Sequence, residues 1–376
     1  MEKKIRVLQV TSGFRKGTSG GIPSVLYNYG TSGVFDEGFQ IDYLSLGYQT
    51  FEPFRQGLEE KGGNLYCLDI HSTGVKQLFD IYCKLRMFLK DKEYDIVHVN
   101  SGALTQMLAA CFASHSRGIY TIAHSHNSIV KSGWRGTAYT ILKPLYYKAS
   151  DDFFACTKMA AECVFPKGVI QKGKWKLINN AIDVDRFIYD ERVRKEYRKN
   201  LGIEDKFVVG HIGRFNAQKN HKFIIDVFEK FSRERDDAVL VLVGTGDLEE
   251  EIKSKVHDLS LDKKVMFLGR RADANNLMMA MDVLLFPSIY EGLGMVLIEA
   301  QTTGLQVISS NRVPIEETHV TNNIVYCELD VDKWLAELRK KEIDENRKSN
   351  RQEIVDAGYE LKTAAEYLRS LYVKTI

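Results

Sequence analysis

Proline is scarce, six residues in 376, which leaves no room for a proline-rich linker. Long apolar runs are missing as well. No stretch approaches the roughly 20 consecutive apolar residues that a bilayer-spanning helix needs, so the chain is not expected to cross a membrane. The opening Met1-Glu2-Lys3-Lys4 passes straight into the strand-like Ile5–Val10, too short an apolar run for a signal peptide. Cysteine is sparse and unpatterned. Cys67, Cys83, Cys111, Cys156, Cys163 and Cys327 form no C-x-x-C pair and no zinc spacing, and they read as small buried residues in a reduced, cytoplasmic setting.

A large net charge is also absent, at a formal +2, and no nucleic-acid partner is expected. The near-neutral total hides a split. Residues 1–182 carry 22 Lys+Arg against 15 Asp+Glu, whereas the remainder carries 30 against 35. The first half is therefore the one that would seek an anionic surface. With 44% hydrophobic and 27% charged residues, a chain of this length is too long for one typical core and is expected to form two soluble domains.

Short apolar strands alternate with helical segments through the first half: Ile5–Val10, Ile41–Leu46, Asn64–Leu68, Asp95–Val99, Tyr120–Ala123 and Phe153–Ala155, with periodic stretches such as Val75–Lys90 and Leu104–Ser114 between them. That alternation predicts an α/β fold with a parallel sheet covered on both faces. Ligands of such sheets bind at strand carboxyl ends. The first strand ends in the Gly-rich Thr11–Pro23, where Gly20-Gly21 precedes a helix and lets backbone approach an anion. Another strand ends in Ala123-His124-Ser125-His126-Asn127-Ser128; two histidines at alternate positions share a face, but no third metal ligand is near. The segment Lys131–Lys148 interleaves Lys131, Arg135, Lys143 and Lys148 with Trp134, Tyr139, Tyr146 and Tyr147. It fits an interfacial segment or a solvated helix with inward aromatics.

In the second half, Phe207–Ile212 is a buried strand ending in Gly213-Arg214, with Lys219 five residues on. Arg offers a bidentate fork and Lys a point charge, so the two could neutralise a diphosphate. Ala238–Val243 followed by Gly244-Thr245-Gly246 repeats the strand-to-Gly-turn pattern. A third strand end carries Gly269-Arg270. The fullest signal is Asp282–Phe286, then Pro287-Ser288-Ile289-Tyr290-Glu291-Gly292-Leu293-Gly294, then a helix over Met295–Thr303 closed by Gly304. Glu291 falls in the turn and Glu299 one turn into the helix. Between them lie the backbone N–H groups of a helix N-terminus, a natural seat for phosphate. Carboxylates beside an anion are suited to accepting hydrogen bonds from flanking hydroxyls, a ribose on one side and a hexose on the other.

The Glu-x7-Glu spacing after a Pro-Ser turn, with Gly213-Arg214 and Lys219, resembles the donor site of the retaining GT-B glycosyltransferases of family 4 (glycosyl transferases group 1). Asn180-Ala181 stands where that family's interdomain junction usually has Asn-Gly. The wording of Gly292–Gln301 and of Ala123–Asn127 is most similar to the bacterial capsule and exopolysaccharide enzymes. The resemblance implies a GT-B fold: two Rossmann-like doubly wound domains facing across a cleft, 1–182 for acceptor and 207–352 for donor, a linker at 183–206, and a terminal helix at 353–376 returning to the first domain. It implies transfer of a sugar from a nucleotide diphosphate donor, expected to be a UDP-sugar, to a glycan acceptor on a lipid at the inner face of the cell membrane. Attachment to an anionic membrane surface is expected to be peripheral. His126, Arg214, Lys219 and Glu291 are the implied catalytic residues. Gly20, Gly21, Gly213, Arg214, Lys219, Gly244, Arg270, Glu291, Gly292, Leu293, Gly294, Met295 and Glu299 are the implied donor contacts, with Glu299 on the ribose. No cofactor is implied. Asp183-Val184-Asp185 matches a D-x-D metal motif superficially, but it reads as a turn beside a charged linker, and no metal is expected. A nucleotide-sugar epimerase on the same fold, or a catalytically silent nucleotide-sugar-binding subunit, are the alternatives.

Overall fold

The computed structural model describes residues 3–13, 21–47, 51–126 and 140–376. These cluster into two units, Met1–Ile182 with Glu360–Ile376, and Asp183–Tyr359. Gly20, Lys131, Trp134, Arg135 and Tyr139 lie outside the described residues.

The first unit holds seven parallel strands, β1 Ile5–Thr11, β2 Phe39–Ser45, β3 Leu65–Cys67, β4 Ile96–Ser101, β5 Tyr120–Ser125, β6 Asp152–Ala155 and β7 Lys176–Leu177, in the order β3-β2-β1-β4-β5-β6-β7. The second holds six, β8 Phe207–Ile212, β9 Ala238–Val243, β10 Val265–Phe267, β11 Val283–Phe286, β12 Gln306–Ser310 and β13 Ile324–Cys327, in the order β10-β9-β8-β11-β12-β13. Every pairing is parallel, for example Val7 beside Ile96 and Val209 beside Leu240. Strands buried on both faces need apolar side chains at successive positions, which β9 supplies as Ala-Val-Leu-Val-Leu-Val, buried throughout. Both sheets reverse strand order once, between β1 and β4 and between β8 and β11. In doubly wound sheets that reversal opens the crevice where ligands bind.

Two boundaries differ from the sequence reading. Residues 183–206, expected as a linker, belong to the second unit, and helix Glu191–Leu201 buries Arg194 and Arg198 there. The amphipathic run from Glu353 is also not one helix. It breaks at Gly358, at φ +80°, into Arg351–Asp356 of the second unit and Leu361–Val373 of the first. Glu360 restarts it by accepting from the backbone N–H groups of Lys362 and Thr363 at 2.9 and 2.7 Å.

Candidate functional site

In the second unit the strand-order reversal brings together the carboxyl ends of β8 and β11, the former running into Gly213-Arg214 and the latter into Pro287–Gly294. Asn216 starts a short turn by accepting the Lys219 backbone N–H at 3.0 Å. That turn is stitched to the β11 loop: the Ile289 N–H donates to the Gln218 carbonyl at 2.8 Å, and the Gln218 side-chain amide donates to the Tyr290 carbonyl at 2.9 Å. The stitching sets Lys219 against Glu291. Their Nζ and Oε1 lie 2.5 Å apart, both side chains largely buried, with Nζ also 4.5 Å from the Phe286 ring centroid. An ammonium has three donors, and the bond to Glu291 uses one.

Arg214, on the same turn, is more exposed and reaches Asp247 at 3.3 Å. Arg270 is exposed at the end of β10, beside Gly269, whose carbonyl accepts from the Gly244 N–H at 2.8 Å. The β9 and β10 turns are therefore in backbone contact, and the β8 turn joins them where the Gly213 N–H donates to the Val243 carbonyl at 2.9 Å. A Cβ on Gly244, whose φ is +140°, would meet the Gly213 carbonyl oxygen at 2.0 Å. Gly244→Ala is accordingly expected to push the Gly213-Arg214 turn outward and destabilise the second unit by about 1–3 kcal/mol. Calorimetric binding of UDP, the nucleotide of the donor that the resemblance implies, should weaken at a temperature where a thermal melt shows the variant still folded. Unchanged affinity would mean the turn plays no part in the site.

Gly294 supplies the N-cap of helix Met295–Thr302 at φ +88°, a left-handed conformation that a Cβ would strain. Leu293 is buried beneath this corner, while Gly292 and Met295 are partly exposed on it. Burial pushes the Glu299 carboxyl from its ordinary 4.5 up to about 7, against the opposing charges of Arg186 and Lys219. An acid so placed is poised to change charge near neutrality.

In the first unit, His126 follows β5 next to the strand-order reversal, and Gly21 precedes helix Ile22–Thr31. The His126 ring is tied to the molecule's interior by a hydrogen-bond chain. Asn100 donates its Nδ2 to the His98 carbonyl at 3.1 Å and to Gln9 Oε1 at 2.8 Å. Its Oδ1 must then accept from His126 Nε2, 3.0 Å away, which fixes the Nε2–H tautomer and leaves Nδ1 as an acceptor. Gln9 continues to the Tyr372 hydroxyl at 2.9 Å, Tyr372 to His98 Nδ1 at 2.5 Å, and His98 Nε2 to His124 Nδ1 at 3.0 Å. Burial pushes His98 and His126 down to about 3 and His124 well below its ordinary value, so all three are neutral. His98 and His124 thus answer one another as donor and acceptor, while His126 answers to Asn100. A cavity of about 20 Å³ borders Gln9, His98, Asn100 and His124, room for about one water.

The structure thus joins Gly213, Lys219, Gly244, Glu291 and the Gly292–Met295 corner at one strand-order reversal, while His126 and Gly21 belong to the other unit. Several residues at these sites escaped the sequence reading. Asn216 and Gln218 aim Lys219, Asn100 aims His126, and Ser288 buries a hydroxyl that finds no partner among the described residues. His211 lies behind Gly213, donating from Nδ1 to the Leu285 carbonyl at 2.8 Å, and burial pushes it down to about 4. Asn100 could have been found: it is a polar residue at the carboxyl end of a strand that borders the reversal.

Two Rossmann-like sheets of parallel strands, each with a charged or polar cluster at its strand-order reversal, give the chain a GT-B fold, and its two family domains make it a glycosyltransferase. The chain carries a Glycosyltransferase Family 4 domain over residues 36–186 and a Glycosyl transferases group 1 domain over residues 193–360. It is 27% identical over 314 residues to EpsF of Bacillus subtilis, named a glycosyltransferase, covering 82% of this chain and 79% of that protein. It is 29% identical over 246 residues to the UDP-Gal:alpha-D-GlcNAc-diphosphoundecaprenol alpha-1,3-galactosyltransferase of Escherichia coli, covering 63% of this chain and 62% of that one. The solved structure of HepE from Anabaena in complex with UDP superposes with a TM-score of 0.74 at 18% identity, over 98% of this chain and 100% of that one.

Proposed function

We propose that this enzyme transfers a sugar from a UDP-sugar to a glycan carried on a lipid diphosphate, with retention at the anomeric carbon, in bacterial exopolysaccharide or capsule synthesis. The observation that carries the proposal is the Lys219–Glu291 pair at the β8–β11 reversal, with Arg214 on the adjoining turn. In this reading Lys219 and Arg214 take up the charge of the departing UDP, in place of a metal. Glu291 accepts from a hydroxyl of the donor sugar, Glu299 accepts from the ribose, and neutral His126 is the first unit's contribution to recognition of the donor sugar. A nucleotide-binding fold like that of UDP-bound HepE supports the donor class. Two relatives named for diphospho-undecaprenol-linked sugars support the acceptor class, one from Escherichia coli and one from Campylobacter jejuni. The described helices include none long and apolar enough to cross a membrane, so an enzyme of this kind would meet such an acceptor from the side.

Calorimetry with UDP and with UDP-sugars tests the reading. Glu299→Gln should weaken UDP itself, because the amide accepts through only one oxygen; Glu291→Gln should leave UDP affinity nearly unchanged and lower turnover. Equal losses in both variants would contradict this division of labour. The raised Glu299 pKa adds a signed pH effect. Its folded value exceeds its unfolded one, so the folded protein holds the extra proton between about pH 4.5 and 7, and this group's contribution to stability falls as pH rises through that window. Ribose hydroxyls favour the ionised form. UDP affinity is therefore expected to improve between about pH 6 and pH 8 by more in the wild type than in Glu299→Gln, the variant serving as control for titration of UDP itself.

A further inference from the structure

Helix Gly74–Phe88 of the first unit is buried on one side only. Ile81 and Leu85 enter the core, while three large apolar side chains face outward: Val75 is 83% exposed, Phe79 66% and Met87 73%. At about 100° per residue, Val75, Arg86, Phe79, the half-buried Cys83, Lys76 and Met87 follow one another within about 120° of the helix surface, opposite Ile81. Its exposed side chains alternate between apolar and cationic. Lys90, just past the helix end, extends it, and Arg117 closes on the same end by donating to the Lys90 carbonyl at 3.1 Å. The helix's one acid, Asp80, is held by the Ser72 hydroxyl at 2.5 Å.

Water solvates such an arc poorly, and a folded protein does not usually leave three large apolar side chains this exposed on one helix. The choice of occupant follows from charge. A second copy docked by a two-fold would set Lys76, Arg86 and Lys90 against their own equivalents, which repel. An anionic lipid surface satisfies both components, since headgroups pair with the cations and the boundary of the acyl region takes the apolar side chains. We infer that helix Gly74–Phe88 is the face by which this protein lies on an anionic membrane. The inference deepens the lipid-linked acceptor reading but stands on this helix. It assigns attachment to a different element from Lys131–Lys148.

The test is co-sedimentation of the full chain with phosphatidylglycerol-containing and pure phosphatidylcholine vesicles, at low and high salt. Wild type should sediment with the anionic vesicles and be partly released by salt. A variant with Val75, Phe79 and Met87 changed to Ser should lose partitioning at every salt concentration, by at least about tenfold. A variant with Lys76, Arg86 and Lys90 changed to Gln should lose on the order of 100-fold at low salt, with most of its salt dependence gone. All six positions are surface ones, and thermal melts check that both variants fold. A third variant, with Lys131, Arg135, Lys143 and Lys148 changed to Gln, should sediment like the wild type. The inference is overturned if wild type stays in the supernatant, if both helix variants sediment unchanged, or if the third variant alone is released; self-association of wild type lost in the Ser variant would assign the face to a second copy instead. Transfer to a lipid-linked acceptor in detergent micelles needs no vesicle. Activity there without vesicle binding would remove the helix's role and keep the acceptor reading, and vesicle binding without activity would do the reverse.

Discussion

Lys219→Met is expected to lower kcat by about 10²- to 10³-fold, with a smaller change in the KM for the proposed UDP-sugar donor. A fixed ammonium aimed at charge that develops on the leaving diphosphate contributes about 2.7–4 kcal/mol to the transition state, and each 1.36 kcal/mol is a factor of ten. The substitution also has a structural side. It removes the cation 2.5 Å from the largely buried Glu291 carboxylate, so some loss of stability accompanies the loss of rate. A second substitution separates the two. Lys219→Met with Glu291→Gln removes the stranded charge and should recover much of the melting temperature without recovering turnover. Arg214→Gln should cost about 10²-fold with almost no change in stability, since its bond to Asp247 is exposed. A kcat within threefold of wild type in Lys219→Met would end the proposed role. If these two cations stand in for a metal, activity should persist in EDTA. Loss with EDTA and return with Mg²⁺ or Mn²⁺ would reassign the leaving-group charge to an ion.

The strands and their glycine turns were legible because a parallel sheet buried on both faces leaves a local signature: an apolar run, then a turn residue. The helix expected at Met295–Thr303 is found at Met295–Thr302, and the strand expected at Asp282–Phe286 at Val283–Phe286. What the local pattern does not carry is partnership. Lys219 and Glu291 are 72 residues apart, and each reads alone as a candidate phosphate or hydroxyl contact; nothing local says that they bond to each other. Asn100 was passed over for the same reason, since its importance lies in the ring 26 residues away that it orients. Charge misled where burial overrode it. Glu191–Asn200 is dense in charged residues and reads as a solvated linker, but Arg194 and Arg198, one helical turn apart, point inward to a single acid.

That acid is the subject of the largest stability effect expected here. The Asp282 side chain is 1% exposed and holds Arg194 Nη2 at 2.5 Å, Arg198 Nη1 at 3.2 Å and the Val208 backbone N–H at 2.7 Å. Around it the C-terminal carbonyls of helix Ala274–Ala280 and the residue after it accept from three guanidinium groups. Arg194 reaches the Met279 and Met281 carbonyls, Arg198 that of Ala280, and Arg347 those of Met278 and Met281. A helix C-terminus favours cations, but three buried together repel, and burial with the Arg194 charge pushes Arg347 down to about 9. Asp282 is the one carboxylate bonded to this group among the described residues. Asp282→Ala leaves the arginines uncompensated and orphans the Val208 N–H, an arrangement whose rupture costs about 3–5 kcal/mol. At about 2–4 °C per kcal/mol for a domain of this size, the melting temperature of the second unit should fall by roughly 10 °C. Asp282→Asn keeps an acceptor for Val208 and should lose less. Arg351→Gln, which breaks the exposed Asp185–Arg351 pair, should change stability by under about 1 kcal/mol. Asp282 lies at the amino end of β11, whereas Lys219 and Glu291 lie at the carboxyl ends of β8 and β11, so kcat at low temperature should survive the substitution while thermal stability does not. A melting temperature within 2 °C of wild type in Asp282→Ala would mean that water or rearranged carbonyls hold the arginines without it.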